Sequence, residues 1–122
     1  MTTGSVRARI DSAVASWEGI SRHPHRFGGI EFRFGKREIG HLHGDTLLDV
    51  PFPRRVHDEL IAAGQAAPHH VLPDSGWVSF RISGGDDVEA AVALLRRSYD
   101  LVVEQTARRR AQSAAARDSA VS

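Results

Sequence analysis

The chain has no cysteine in its 122 residues. That absence excludes disulfides, a thiol nucleophile and any Cys-ligated zinc site, and it fits a reducing cytoplasm. Long apolar runs are missing too. The longest, Ala90–Leu95, is six residues, against roughly 20 for a helix that spans a bilayer. No apolar h-region of a secretory signal follows Met1. A cytoplasmic protein without membrane contact is therefore expected. Gly28-Gly29 is too short for a phosphate loop, and Gly84-Gly85 leads into a capping Asp rather than a phosphate cradle. There is no dinucleotide fingerprint and no Gly-x-Ser-x-Gly elbow, and neither Ser79 nor Ser98 has a neighbouring His. Flavin, nicotinamide and serine-nucleophile chemistry thus find no support.

What is present suits one globular domain, with 41% hydrophobic residues to build a core and 25% charged residues to solvate it. Sixteen basic and fifteen acidic groups give a net charge of +1. They are unevenly spread. Arg108, Arg109, Arg110 and Arg117 lie in residues 107–122 beside one acid, Asp118, which leaves the rest of the chain at −2. A body of that sign is a poor match for a phosphate backbone, so nucleic acid is not the expected partner. Seven histidines occur, and six of them form the pairs His23/His25, His41/His43 and His69/His70. With cysteine absent, imidazole and carboxylate are the working groups.

Apolar periodicity predicts the order α-β-β-β-α-β-β-α. The first helix runs over Val6–Trp17, capped by Thr3 or Ser5 and ended by Gly19. His23-Pro24-His25 then leads irregularly into the sheet. Alternation predicts strands over Ile30–Phe34, Arg37–His43 and Thr46–Phe52, joined by turns at Gly35-Lys36 and Gly44-Asp45. Pro53 opens a second helix whose stripe is Val56, Leu60, Ile61 and Ala63, with Gly64 at its end. Strands over Ala67–Leu72 and Trp77–Ser83 follow. Asp86 and Glu89 form a capping box for a third helix over Asp87–Thr106. Residues 1–106 make the folded domain, and residues 107–122 are a tail, either frayed helix or disordered. The fold class is α+β in two layers, with a five-stranded, mainly antiparallel sheet and its helices on one face.

The other face is open, and its residues carry the functional argument. Val78, Phe80 and Ile82 should meet the helices, which turns Trp77, Ser79 and Arg81 outward together with Glu31 and Arg33. A tryptophan among charges on an exposed face points to a ligand. His41 and His43 leave one face of their strand together with Ile39. Burying both in an apolar core would strand ring nitrogens, so they belong on the open face. One of His69 and His70 can share it. Asp49, a carboxylate in an apolar strand, can orient an imidazole. His23 and His25 read as turn residues and His57 as a solvated helix residue. Three chemistries fit this set: a metal held by His-x-His and a third ligand, imidazole general bases, or a hydrogen-bonded structural cluster.

The stretches Arg37-Glu38-Ile39-Gly40-His41-Leu42-His43, Asp49-Val50-Pro51-Phe52-Pro53, Gly64-Gln65-Ala66-Ala67-Pro68-His69-His70 and Gly76-Trp77-Val78-Ser79-Phe80 resemble bacterial members of the luciferase domain family, over about residues 15–105. The fungal luciferase of that family oxidises a hydroxylated, hispidin-type pyrone with molecular oxygen and needs no recognised flavin or metal. Arg37, Glu38, His41, His43, His69 and Trp77 match its pattern. Asp49 departs from it, because the fungal sequences carry a histidine there. The fungal protein also has an N-terminal membrane segment, and none is read here. The end of the chain, Trp77–Ile82 and Leu94–Val102, is similar to YjbR/MmcQ-like domains, small α+β proteins sometimes linked to DNA.

The resemblance and the residues together lead to one expectation. A planar enolic or aromatic small molecule stacks on Trp77. His41 or His43 takes its proton, Asp49 orients an imidazole, and Arg37 or Arg81 steadies the enolate oxygen. Glu38 and His69 complete the site. No cofactor is expected beyond oxygen as co-substrate. The alternatives are a divalent metal on His41, His43 and His69, or a non-catalytic binding module. Free strand edges suit a homodimer.

Overall fold

Apolar residues at every second position build the sheet, and those at every third or fourth position build the helices that cover it. The computed structural model describes residues 5–121. In chain order its elements are α1 (Val6–Ala15), β1 (Ile20–His25), β2 (Gly29–Phe34), β3 (Arg37–His43), β4 (Leu47–Pro51), α2 (Arg54–Ala62), β5 (Ala67–Pro68), β6 (Trp77–Arg81) and α3 (Val88–Val121). The strands form one sheet in the order β1-β2-β3-β4-β6-β5, antiparallel throughout. Phe32, Ile39, Leu42, Leu48, Val50 and Val78 project from one face and pack with Ile10, Val14, Val56, Leu60 and Leu95 of the helices. The two-layer α+β architecture is the expected one, with six strands in place of five.

The extra strand is β1. It holds the edge, the place in a sheet that tolerates a proline such as Pro24. The strand read over Ala67–Leu72 is shorter than expected, and only Ala67 and Pro68 pair with β6. From there His69 diverts the chain, its Nδ1 accepting the backbone N–H groups of Val71 and Leu72 at 3.1 Å each. Ser5 caps α1 by accepting from the Ala8 N–H at 3.1 Å, whereas Thr3 lies outside the described residues. Helix α1 ends at Ala15, before Gly19. At the start of α3 it is Asp87, not the Asp86–Glu89 pair, that accepts from a preceding backbone N–H, that of Ser83, at 2.7 Å. Residues 107–121 continue α3 as helix. His57 is not solvated. It is buried beside Val56 on the packed side of α2, and its Nδ1 bonds to Asp58 at 2.8 Å.

One irregularity positions the site. Phe32 pairs with Gly40, but Arg33 pairs with Glu38, so Ile39 is an extra residue in β3. This bulge breaks the strict alternation. Ile39 turns into the core, fully buried, instead of leaving with His41 and His43 as alternation predicts. Glu38 turns to the open face beside His41. The Ile39 carbonyl accepts the buried Ser98 hydroxyl of α3 at 2.8 Å. Gly40 faces the same helix, and a Cβ there would stand 2.7 Å from Leu95 Cδ2.

Candidate functional site

One rung crosses the whole sheet. His23, Glu31, His41, Asp49, Ser79 and Ala67 stand opposite one another, one from each strand. Directly opposed residues share a face, so the rung lays imidazole, carboxylate and hydroxyl side by side on the open side. His25, His43 and Trp77 lie two residues away along their strands and face the same way.

Asp49 is the centre, with no exposed surface. Its Oδ1 accepts the Ser79 hydroxyl at 2.7 Å. Its Oδ2 faces four imidazoles, with Nε2 of His43, His41, His69 and His70 at 2.9, 3.3, 3.4 and 3.5 Å. Burial would raise the Asp49 pKa, but the bonds from His41, Ser79 and His43 outweigh it and hold the carboxyl well below the usual range. It is therefore an anion.

The rings differ in what their nitrogens do. His41 meets Asp49 through Nε2 and Glu38 through Nδ1, the latter at 2.6 Å. Burial pulls its pKa down, but the two carboxylates prevail and push it up to about 9, so the ring is an imidazolium at neutral pH. His69 is the reverse. Its pKa is lowered, chiefly by burial, and its Nδ1 already serves two backbone donors that a protonated nitrogen would repel. His43 binds Asp49 through Nε2 and His25 binds Glu31 through Nδ1, at 2.9 and 3.2 Å. Each has its other nitrogen without a partner among the described residues. His25 stacks on His41 with centroids 4.0 Å apart, and His69 stacks on His70 at 4.4 Å. Trp77 closes the cluster, 5.3 Å from His41 and 6.1 Å from His69.

Residues 36–98 match the luciferase domain family. The chain belongs to that family. The search of curated proteins and the search of solved structures find no match. The matched stretch of the luciferase domain contains Glu38, His41, His43, Asp49, His69, His70, Trp77 and Ser79, and it stops short of β1 and β2, which supply His25 and Glu31.

Of the residues singled out in the sequence, the fold of this luciferase domain brings together Glu38, His41, His43, Asp49, His69 and Trp77. Arg81 sits at the rim, lining a cavity of about 470 Å³ with His70 and Ser79. Arg37 is elsewhere. The bulge sends it to the helix side, where it donates to Gln105 of α3 at 3.3 Å, so it cannot steady a ligand on the open face. His25 and His70 are the residues that sequence reasoning missed. For His25 the available signal was the His-x-His spacing at an edge compatible with proline. His70 joins because residues 69–70 leave the strand, which lets two consecutive side chains reach one carboxylate. Two trios place a ligand atom from each member within 4.8 Å of the others, His25/His41/His43 and His43/Asp49/His70. His69 belongs to neither. No helix among the described residues is long and apolar enough to cross a membrane.

Proposed function

We propose that this luciferase domain binds a planar, acidic small molecule, enolic or aromatic, on the open face and directs its reaction with molecular oxygen without flavin or nicotinamide. The observation that carries the reading is the division of labour around Asp49. His41, clamped by Glu38 and Asp49, is a fixed cation. His43 and His25 are each oriented by a carboxylate through one nitrogen and are free at the other. A fixed cation beside oriented, uncommitted imidazoles suits removal of an enolic proton and retention of the enolate left behind. Trp77 offers the stacking surface. Dioxygen is the oxidant: two electrons of the enolate form a C–O bond at carbon as the O–O bond falls to a single bond, the enolate oxygen becomes a carbonyl, and the peroxide takes back the proton held on the imidazole. Arg81 can meet an anionic group at the rim, and Arg37 takes no part.

The test uses hydroxylated 2-pyrones and phenols as probes. Quenching of Trp77 fluorescence, read in a Trp17→Phe background, reports binding, and an oxygen electrode reports turnover. Saturable quenching by the acidic members and oxygen uptake that falls about 100-fold or more in His43→Ala are expected. Failure of every planar acid to quench would overturn the reading.

A further inference from the structure

We propose that the same site holds a divalent first-row transition ion, iron(II) by its donor set, on His43, Asp49 and His70. The inference rests on the oxygenation reading for the ion's purpose, while its ligands are argued from geometry alone.

Four imidazole nitrogens crowd the Asp49 Oδ2 atom. A carboxylate oxygen has about two lone-pair sites, so hydrogen bonding does not account for four rings. Three of them can be assigned. His43 makes a bond of normal length, His41 also binds Glu38, and His69 also binds the backbone. His70 cannot. Its Nε2 points at Oδ2 from 3.5 Å with no hydrogen bond of its own, on a side chain 47% exposed. Stacking on His69 holds the ring there and leaves its Nε2 free to meet an ion beside the carboxylate.

The spacing fits an ion. Ligands at about 2.1 Å from a metal stand about 3.0 to 3.4 Å apart for octahedral or tetrahedral angles. The Nε2 atoms of His43 and His70 lie 2.9 and 3.5 Å from Oδ2. The surroundings are also those of a built site. Ser79 fixes Asp49 through Oδ1, and Oδ2, which also faces the His41 Nε2, keeps one of its two lone-pair sites for the ion, while the stacked His69 ring sets the plane of His70. Two histidines and one carboxylate with open positions form the donor set of non-haem iron(II) sites that meet dioxygen. The rival trio, His25/His41/His43, needs a nitrogen of His41, and both nitrogens already face carboxylates. With the ion bound, His43 is a ligand, and proton acceptance passes to His25, which Glu31 orients.

The experiment is anaerobic titration of the full chain with Fe²⁺, and separately with Co²⁺, followed by calorimetry and absorbance. One equivalent should bind, and His70→Ala should weaken it about 100-fold, while His25→Ala changes it less than about threefold. His70 is half-exposed, so its loss leaves the fold intact, which circular dichroism checks. Absence of binding, unchanged affinity in His70→Ala, or loss in His25→Ala would each overturn the proposal. Trp77 quenching by the pyrone probes is measured on metal-free protein as well. Pyrone binding without metal binding defeats the ion alone. Metal binding without any planar-acid ligand defeats the substrate reading alone.

Discussion

The Ser98 hydroxyl of α3 donates to the Ile39 carbonyl at 2.8 Å, across the helix–sheet interface and at the bulge in β3. The bond lies in the core, with Ser98 only 2% exposed. It links a helix with no site residue to the one strand position that decides whether Glu38 faces the histidines. Ser98→Ala should leave that carbonyl without its donor and cost about 1 to 3 kcal/mol of stability, read by chemical denaturation. The same variant should loosen Glu38 from His41 and weaken pyrone binding. A stable variant with unaltered binding would mean that the bulge holds itself.

The acid limb of stability should carry a contribution from Glu31. Burial raises its pKa, but hydrogen bonds from Arg33 and His25 outweigh this and leave it below its ordinary value of 4.5. A depressed folded pKa means the folded state prefers the ionised form. The stabilisation is fully present above the ordinary value and is lost as pH falls through the folded one. Wild type and Glu31→Gln should therefore converge in strong acid and separate as pH rises toward neutrality. Unfolding curves at a series of pH values check this, and a gap that widens on acidification would contradict it.

The helices and the meander were legible because their apolar periods are clean, as in Ile30–Phe34 and in the α3 stripe through Leu95 and Val102. The open-face location of His41 and His43 followed from the cost of burying imidazoles, and that of Trp77 from its alternation with Val78, Phe80 and Ile82. Three features escaped for physical reasons. A bulge inserts a residue without any composition signal, so alternation sets Ile39 on the face of His41 and His43, whereas it lies in the core; Arg37 entered the expected site through the family resemblance. Strand β1 draws its stability from pairing with β2, and its own pattern of Ser, Arg, His and Pro does not announce it. The fourth predicted strand yields to a side chain, His69, that competes for backbone donors two and three residues ahead.

That competition makes His69 a positioning residue. Its ring is spent, with Nδ1 on Val71 and Leu72 and Nε2 near Asp49, and the loop it holds carries His70. His69→Ala should expose the Val71 and Leu72 amides to hydrogen exchange while leaving global stability nearly intact, since opening is local. His69→Asn, which keeps an acceptor, should restore part of the protection. Unchanged exchange at both amides in the Ala variant would remove the role assigned to the ring.

The last helix outruns the body it packs on. Among the residues of α3 up to 118, Val102 is the last that is buried, and residues 107–118 are all exposed. At 1.5 Å per residue the segment after Thr106 projects about 20 Å. Surface positions without buried partners contribute little, so a chain ended at Thr106 should keep its unfolding free energy within about 0.5 kcal/mol. Its helical circular dichroism should fall with the lost turns. A loss of about 2 kcal/mol or more would show that the projecting helix packs on something. If that loss vanished on dilution of the full chain, the surface it packs on would belong to a second copy.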